Sequence, residues 1–164
     1  MSLTQAHPLW STCKDNSFEV AKAIIQAKLL SGRYKTDKLL SHFSRGLDGS
    51  CTICQDNCPG TVEHLLVECA SLSECRDRQF SALANRDDIS DTTKKLVSDI
   101  FRRPSSEFIQ LLLDCSVLPE VISANRYNTN TLPELFKFTR TWCYNMHMTR
   151  LKILGRWNKS FYIS

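Results

Sequence analysis

The chain has 164 residues, of which 42% are hydrophobic and 23% are charged, an ordinary composition for a globular protein that argues against wholesale disorder. This length predicts a single domain, or one modest core with a small additional unit. The net charge of +4 excludes little by itself, but no apolar run reaches about 18 residues, so we expect no transmembrane helix.

The N-terminal residues MSLTQAHPLW contain neither the charged region nor the apolar region of a secretory signal peptide. We therefore expect an intracellular protein, in the nucleus or the cytoplasm, with no membrane partner. In these compartments the eight cysteines are predicted to be reduced, with some of them bound to a metal ion. A disulfide framework is the alternative.

The first 45 residues carry the signals of two helices. Ser17 can cap a helix that runs through FEVAKAIIQAKLL, and Gly32 stands where the helix is expected to stop. Thr36 can cap a second, short helix that contains Leu39 and Leu40. The turn residues GLDGS then lead into the most informative part of the chain.

The stretch CTICQDNCPGTVEHLLVEC spaces three cysteines and a histidine as C-x2-C-x9-H-x4-C, with Cys51, Cys54, His64 and Cys69 as the four residues. Thr61 can cap the helix VEHLLVE, which puts His64 in its first turn and Cys69 just past its end. Two thiolates on a tight turn, with an imidazole and a thiolate from a helix, can occupy the corners of a tetrahedron. Zinc accepts this mixture, and four protein ligands leave no open position for a substrate, so we predict a structural Zn²⁺ site.

Other interpretations of these residues remain open. A C-x-x-C pair can also be a redox pair or two unrelated core cysteines, although no strand running into a helix surrounds this one. His64 can be a core histidine on an apolar helix face, beside Leu65 and Leu66. Cys58 lies inside the loop and can replace Cys54 as a ligand, or remain free beside the metal.

Helical signals continue through the second half of the chain. Ser71 and Glu74 resemble a capping box for a helix that reaches about Ala84. A helix containing Val97 and Ile100 is expected to end before the proline at 104, and the next begins at one of the two serines that follow it.

The last element is predicted to be the longest helix, from Thr131 as its cap to Leu154, with Pro133 in the first turn and Gly155 beyond the end. One side of it carries Leu135, Phe138, Trp142, Met146 and Ile153. No strand pattern competes, so we predict a mainly α fold, a small helical domain with an embedded CCHC zinc-binding loop. Its parts are basic N-terminal helices at 1–45, the CCHC module at 46–85 and a helical C-terminal region at 86–164 ending in a long basic helix.

Charge is distributed unevenly along the chain. Residues 22–45 and residues 131–164 each carry a net charge of +5, whereas residues 46–130 carry −5. Positive surface attracts phosphate and releases its counterions, so this pattern favours RNA or DNA as a partner. The alternative is that the charges only solvate the outer faces of helices. The candidate contact residues are Arg33, Tyr34, Lys35, Lys38, Arg140, Arg150, Lys152 and Arg156. The basic side chains would bind phosphates, and Tyr34 or Trp157 would stack on unpaired bases.

With these residues in view, the chain resembles the region that follows the polymerase core in reverse transcriptases of LINE-type (non-LTR) retrotransposons. The zinc motif, with its C-x-x-C and TVEHLLVEC, is the most specific part of this resemblance. The other similar segments are HPLW at 7–10, AKAIIQAKLLSGRYKTD at 21–37, LLLDCSVLP at 111–119 and RTWCYNMHMTRLKILG at 140–155.

The resemblance implies a zinc-binding tail that associates with nucleic acid, with Cys51, Cys54, His64 and Cys69 as its ligands. Two features depart from the family: Cys58 is an extra cysteine in the loop, and the polymerase F/Y-x-D-D motif and endonuclease residues are absent from the sequence. The four histidines belong to no recognisable catalytic motif, so we expect neither catalysis nor a small-molecule substrate.

The alternative function is a structural or protein-interaction module without nucleic-acid binding of its own. It would be a remnant of a retrotransposon polyprotein that packs against a reverse transcriptase polymerase domain or another partner.

Overall fold

The computed structural model describes residues 5–155, and within this range the backbone forms helices and no strand. One isolated antiparallel bridge, between Ser50 and Pro59, lies in the loop that carries the first two cysteines of the motif. The mainly α fold is therefore confirmed. None of the helices in this range is both long enough and apolar enough to cross a bilayer.

Eight α-helices follow one another along the described chain, with three shorter helical turns between them. The α-helices are α1 (Pro8–Ser11), α2 (Ser17–Leu30), α3 (Asp37–Ser41), α4 (Ser73–Ala84), α5 (Asp91–Phe101), α6 (Ser105–Asp114), α7 (Pro119–Tyr127) and α8 (Thr131–Ile153). A π-helical turn spans His64–Glu68, and 3₁₀ turns span Ala70–Leu72 and Cys115–Val117.

The first helices begin and end close to the predicted positions. The cap of α2 is Asn16 and not Ser17, because the Asn16 side-chain oxygen accepts hydrogen bonds from the next two helical N–H groups, at 3.0 and 3.1 Å. Gly32 follows the helix with φ +70°, a conformation that glycine adopts without strain. Thr36 caps α3 as predicted, accepting a bond of 3.1 Å from the N–H of Leu39.

Two further predicted caps, Ser71 and Thr131, are wrong. The α4 helix starts at Ser73 without a side-chain cap, and the Ser71 hydroxyl instead donates a 2.7 Å bond to the carbonyl of Ile53 in the cysteine loop. Thr131 is the first residue of α8 and is buried, and its preceding residue, Asn130, occupies the cap position. Neither α1 nor α7 was predicted, and α7 contains Asn125, which the sequence placed in a polar break.

The long α8 helix is the centre of the fold and packs against α1, α2, α4, α5, α6 and α7. Its predicted apolar side is buried over Leu135, Phe138, Trp142 and Met146, whereas Ile153, in the last turn, is exposed. Trp142 packs against the rings of Phe80, Phe108 and Phe138. Its indole N–H donates to the carbonyl of Leu66 at 3.2 Å, which ties the core to the turn that contains His64.

Candidate metal centre and basic surface

The four residues of the C-x2-C-x9-H-x4-C motif converge at one place in the fold. Their donor atoms lie within 4.8 Å of one another, with Cys51 Sγ 3.9 Å from Cys69 Sγ and Cys54 Sγ 3.2 Å from His64 Nε2. A tetrahedral zinc ion with Zn–S bonds of about 2.3 Å would hold its sulfur ligands about 3.8 Å apart. The predicted cluster is therefore confirmed, and its spacing fits a single metal ion. None of these cysteines is in a disulfide.

The first half of the cluster lies on a tight hairpin-like loop. The Cys51 N–H donates to the Cys58 carbonyl and the Gly60 N–H donates to the Gly49 carbonyl, both at 2.8 Å. Asn57 adopts φ +54°, the left-handed conformation that asparagine tolerates better than most residues. These bonds fold residues 51–58 back on themselves, which turns the Cys51 and Cys54 side chains toward the same point.

The second half depends on an unusual helical turn. The Thr61 hydroxyl accepts the His64 N–H at 3.1 Å, so Thr61 starts this turn as predicted. The Cys69 N–H then donates to the His64 carbonyl at 2.7 Å, a bond that spans five residues. In an ordinary α-helix, residues five apart point about 140° away from each other. The wider π-type turn places His64 and Cys69 closer to the same side of the helix. Two residues with the x4 spacing of the motif can therefore bind one ion.

Cys58 is not a member of the cluster. Its Sγ lies 3.5 Å from the carbonyl oxygen of Asp56, and its own carbonyl holds Cys51 in the loop. The structure therefore places Cys54, and not Cys58, with the other three candidate ligands. His64 is buried, and its ring joins the cysteines rather than the apolar core alone.

The thiols of the cluster are unfavourable places for a negative charge unless a cation is present. Burial raises the pKa of Cys54, and burial together with the neighbouring Cys51 raises the pKa of Cys69 to about 12. A bound cation favours the thiolate form, so metal binding would release protons and would weaken in acid. The arrangement can hold a metal ion, and it offers no open coordination position for chemistry.

Two charged side chains border the cluster. Glu68 Oε2 lies 3.7 Å from His64 Nδ1, too far for a good hydrogen bond. Glu63 instead accepts a bond of 2.9 Å from the Ser105 hydroxyl. Arg76 donates to the Cys69 carbonyl at 2.8 Å; burial lowers the pKa of Arg76, while the nearby Cys69 sulfur acts in the opposite direction. Arg76 thus sets a positive charge beside one candidate ligand.

Asp37 connects the cluster to the rest of the molecule, and sequence reasoning missed it. Its carboxylate accepts the Thr52 N–H at 3.1 Å and the Arg150 guanidinium at 3.2 Å. A Cβ atom at Gly60 would lie only 2.6 Å from the Asp37 Cβ, so the loop passes directly against this side chain. One carboxylate therefore joins α3, the cysteine loop and the end of α8. In the sequence it looks only like an acidic residue in the first turn of a helix.

Four of the predicted nucleic-acid contacts are exposed, namely Arg33, Lys35, Lys38 and Lys152. They lie at one end of the molecule, because Arg150 in the last turns of α8 donates to the Lys35 carbonyl at 3.3 Å. Arg156, together with Trp157, lies outside the residues that the structure describes.

Arg140 has a structural position instead. Its side chain is 1% exposed and forms an ion pair with Glu19 at 2.9 Å, with a further bond of 2.6 Å to the Thr12 hydroxyl. The guanidinium thus fastens α8 to α1 and α2 and faces away from solvent. We therefore remove Arg140 from the candidate nucleic-acid surface.

Tyr34 and Arg150 are also engaged inside the fold. The Tyr34 side chain is only 6% exposed, and its hydroxyl lies 2.7 Å from His147 Nδ1. Arg150 lies over the Tyr34 ring and pairs with Asp37. A base cannot stack on a ring in this position, so neither residue belongs to the candidate surface. Burial, with smaller contributions from the charges of Arg150 and Lys28, lowers the pKa of His147 to about 4.

Comparison of the chain with protein-family models, with curated proteins and with solved structures gives no match.

Proposed function

We propose that this chain is a zinc-stabilised α-helical module that binds RNA or DNA, in the manner of the tail of a LINE-type reverse transcriptase. The observation that carries the proposal is the Cys₃His cluster, whose donor atoms lie within 4.8 Å of one another beside an exposed basic segment. The module performs no chemistry of its own, and a partner of this kind places it in the nucleus or the cytoplasm.

Zinc is the metal that this donor set favours. Three sulfurs and one imidazole form a soft ligand set, which selects against Mg²⁺ and Ca²⁺, since these ions require oxygen ligands. Three of the four candidate ligands are buried, and the fourth is half-buried. A closed, buried tetrahedral set is typical of structural zinc and contributes directly to folding.

The basic surface supports nucleic acid as the ligand. Lys28, Arg33, Lys35, Lys38 and Lys152 are exposed at the end of the molecule where α8 meets residues 33–38. The acidic residue within that segment, Asp37, is engaged by Thr52 and Arg150 rather than by these side chains. Their charge is therefore available to phosphates, which release counterions on binding.

The test is a metal analysis followed by a binding titration. We expect about one zinc per chain by plasma mass spectrometry, and binding to short oligonucleotides that weakens steeply between low and high salt. Chelation should remove the metal and the binding together. A folded chain without stoichiometric zinc would overturn the metal assignment. A folded, zinc-loaded chain that binds no oligonucleotide at low salt would overturn the nucleic-acid assignment.

A protein-interaction module is the second candidate, and α2 provides the observation that favours it. Val20 and Ile24 are four residues apart on this helix and both are exposed. In this second function, these two apolar side chains pack against the polymerase domain of a reverse transcriptase. Binding through an apolar surface should hardly respond to salt, so the titration above separates the two functions.

A further inference from the structure

The turn that follows α3 exposes an aromatic side chain. Phe43 is 80% exposed, in contrast to Tyr34, the aromatic residue that the sequence placed in the nucleic-acid surface. The neighbouring residues 42–47 are exposed as well. A large apolar ring that is exposed to solvent can be covered by a partner with a flat apolar face.

The backbone beneath Phe43 is held in place. The N–H groups of Phe43 and Ser44 both donate to the carbonyl of Leu40, at 3.0 and 3.1 Å, and the N–H of His42 donates to that of Leu39 at 3.2 Å. These bonds extend the last turn of α3 and fix the position from which the ring projects. A ring on an ordered support loses less conformational entropy on binding than a ring on a flexible loop.

The turn also belongs to the same structural unit as the metal cluster. The Lys38 N–H donates to the Gly60 carbonyl at 3.1 Å, just before the turn that contains His64. On the other side, Gly49 passes so close to α3 that a Cβ atom there would lie 2.8 Å from the Ser41 hydroxyl oxygen. Binding at Phe43 should therefore depend on the cysteine loop that supports α3.

The charges around Phe43 suit a phosphate backbone. Lys38 and Arg45 are exposed on either side of it in the sequence. The acidic residue in the turn, Asp48, accepts bonds from the Ser50 N–H and hydroxyl at 2.9 and 2.5 Å. Phe43 is therefore exposed between two positive side chains in the sequence, and the carboxylate of Asp48 is hydrogen-bonded to Ser50.

We propose that Phe43 is a stacking site for an unpaired base of single-stranded nucleic acid, with Lys38 and Arg45 on the adjacent phosphates. This inference rests on the proposed function and specifies the form of nucleic acid that the module prefers. A base in a duplex is already stacked on its neighbours, whereas a base in a single strand offers a free face to an aromatic ring.

The test compares Phe43→Ala with a matched variant, Tyr127→Ala, in the zinc-loaded chain. Tyr127 is 92% exposed at the end of α7, next to the start of α8. Phe43 follows α3, which contacts the opposite end of α8 through Asp37 and Arg150. Fluorescence anisotropy with labelled U12, dT12 and a 12-base-pair duplex measures the affinities. Phe43→Ala should weaken binding to the single strands about tenfold, and Phe43→Trp should restore it.

Duplex affinity should change less than about twofold in Phe43→Ala, and Tyr127→Ala should bind all three ligands as the unmodified chain does. The salt dependence of Phe43→Ala should be unchanged, because stacking releases no counterions. Comparison of U12 with dT12 identifies the preferred strand. Zinc content and thermal unfolding of each variant serve as the controls for folding.

Three outcomes would overturn the stacking site, and they differ in whether the proposed nucleic-acid binding is retained. Salt-sensitive binding that Phe43→Ala leaves intact would reject the stacking site and keep the nucleic-acid module. Absence of binding to every oligonucleotide would reject both. Binding to vesicles rich in phosphatidylserine, lost in Phe43→Ala, without oligonucleotide binding would assign the exposed ring to a membrane surface instead.

Discussion

The two basic segments of this chain carry the same net charge and use it differently. Residues 22–45 expose Arg33, Lys35 and Lys38 around a turn that the cysteine loop supports. In the second segment, which begins at residue 131, Lys152 is exposed beside that surface, whereas Arg140 and Arg150 are buried in ion pairs that fasten α8 to the N-terminal helices. The net charge of a sequence segment does not show whether its basic residues are exposed to a ligand or buried in ion pairs. That depends on which acidic residues the fold brings next to them.

The largest effect is expected from removing a metal ligand, which would release the exposed segment from its support. Cys54→Ser should abolish stoichiometric zinc binding and cause a large loss of stability, on the order of several kcal/mol, because metal-binding energy contributes to folding. Cys58→Ser is the matched control and should retain both zinc and stability, since its thiol lies outside the cluster. Zinc analysis and thermal unfolding of the two variants measure this, and the reverse pattern would exchange the roles of the two cysteines.

The next largest effect concerns the buried ion pair between Arg140 and Glu19. Arg140→Ala should destabilise the fold by about 3 kcal/mol, because it removes a fully buried guanidinium and leaves the largely buried Glu19 carboxylate with Lys22 as its remaining ion-pair partner. Lys137→Ala, on the same helix but exposed and paired with Asp88 at the surface, should change the free energy of unfolding by less than about 1 kcal/mol. Urea denaturation with both variants measures the difference. Equal effects would show that the buried ion pair of Arg140 stabilises the fold no more than the exposed pair of Lys137.

The buried histidine near the end of α8, His147, should make the stability of the fold depend on pH. The pKa of His147 is lowered to about 4 in the folded chain, from 6.5, so between these values the unfolded state binds the proton and the folded state does not. Stability should therefore fall as the pH decreases from about 6.5 to 4, by up to about 3 kcal/mol.

The control for this pH dependence is His147→Gln, which removes the titrating group and leaves the metal ligands unchanged. Urea denaturation of this variant between pH 4 and pH 7 should show a weaker slope than the unmodified chain. An identical slope would show that His147 does not cause the acid sensitivity, which would then come from other groups such as the metal ligands and the paired carboxylate of Glu19.

A smaller effect is expected from Asp37, which lies in the first segment and pairs with Arg150 of the second. Asp37→Asn keeps the size of the side chain but removes the charge that pairs with Arg150. We expect zinc to remain bound and the free energy of unfolding to fall by about 1–3 kcal/mol. Hydrogen exchange in residues 50–60 should accelerate, because the Thr52 N–H bonds to this carboxylate. Unchanged exchange would show that the loop is held without Asp37.

The smallest effect belongs to single exposed lysines. Lys38→Ala should leave stability within about 0.5 kcal/mol and reduce the slope of log affinity against log salt by about 1. Lys95→Ala, an exposed lysine on α5 and outside both basic segments, is the control and should leave the slope unchanged. Oligonucleotide titrations over a range of salt concentrations compare the two. Equal slopes for both variants would remove Lys38 from the interface.

Local patterns predicted the helical fold and the metal cluster well. The C-x2-C-x9-H-x4-C spacing identified the four residues that the structure brings together, because ligands of one ion must lie on short, closely connected segments. Thr36 and Thr61 were recognised as caps from sequence for the same reason, since a cap acts within three residues.

Features that depend on distant residues were not predictable in the same way. Asp37 lies 113 residues from its partner Arg150, and Arg140 lies 121 residues from Glu19. The choice between Tyr34 and Phe43 as the exposed aromatic residue depends on what packs over each ring, and no local pattern contains that information. Sequence alone also left Cys54 and Cys58 as alternatives, because the direction of each thiol is set by the backbone bonds of the loop.

The bond between the Trp142 indole and the Leu66 carbonyl gives the molecule an intrinsic optical reporter. Leu66 lies within the turn that His64 begins, so the environment of the indole is linked to the state of the metal cluster. Loading or removing the ion should shift the emission of this tryptophan without an attached dye. The other two tryptophans of the chain, Trp10 and Trp157, contribute background emission that Trp10→Phe and Trp157→Phe remove.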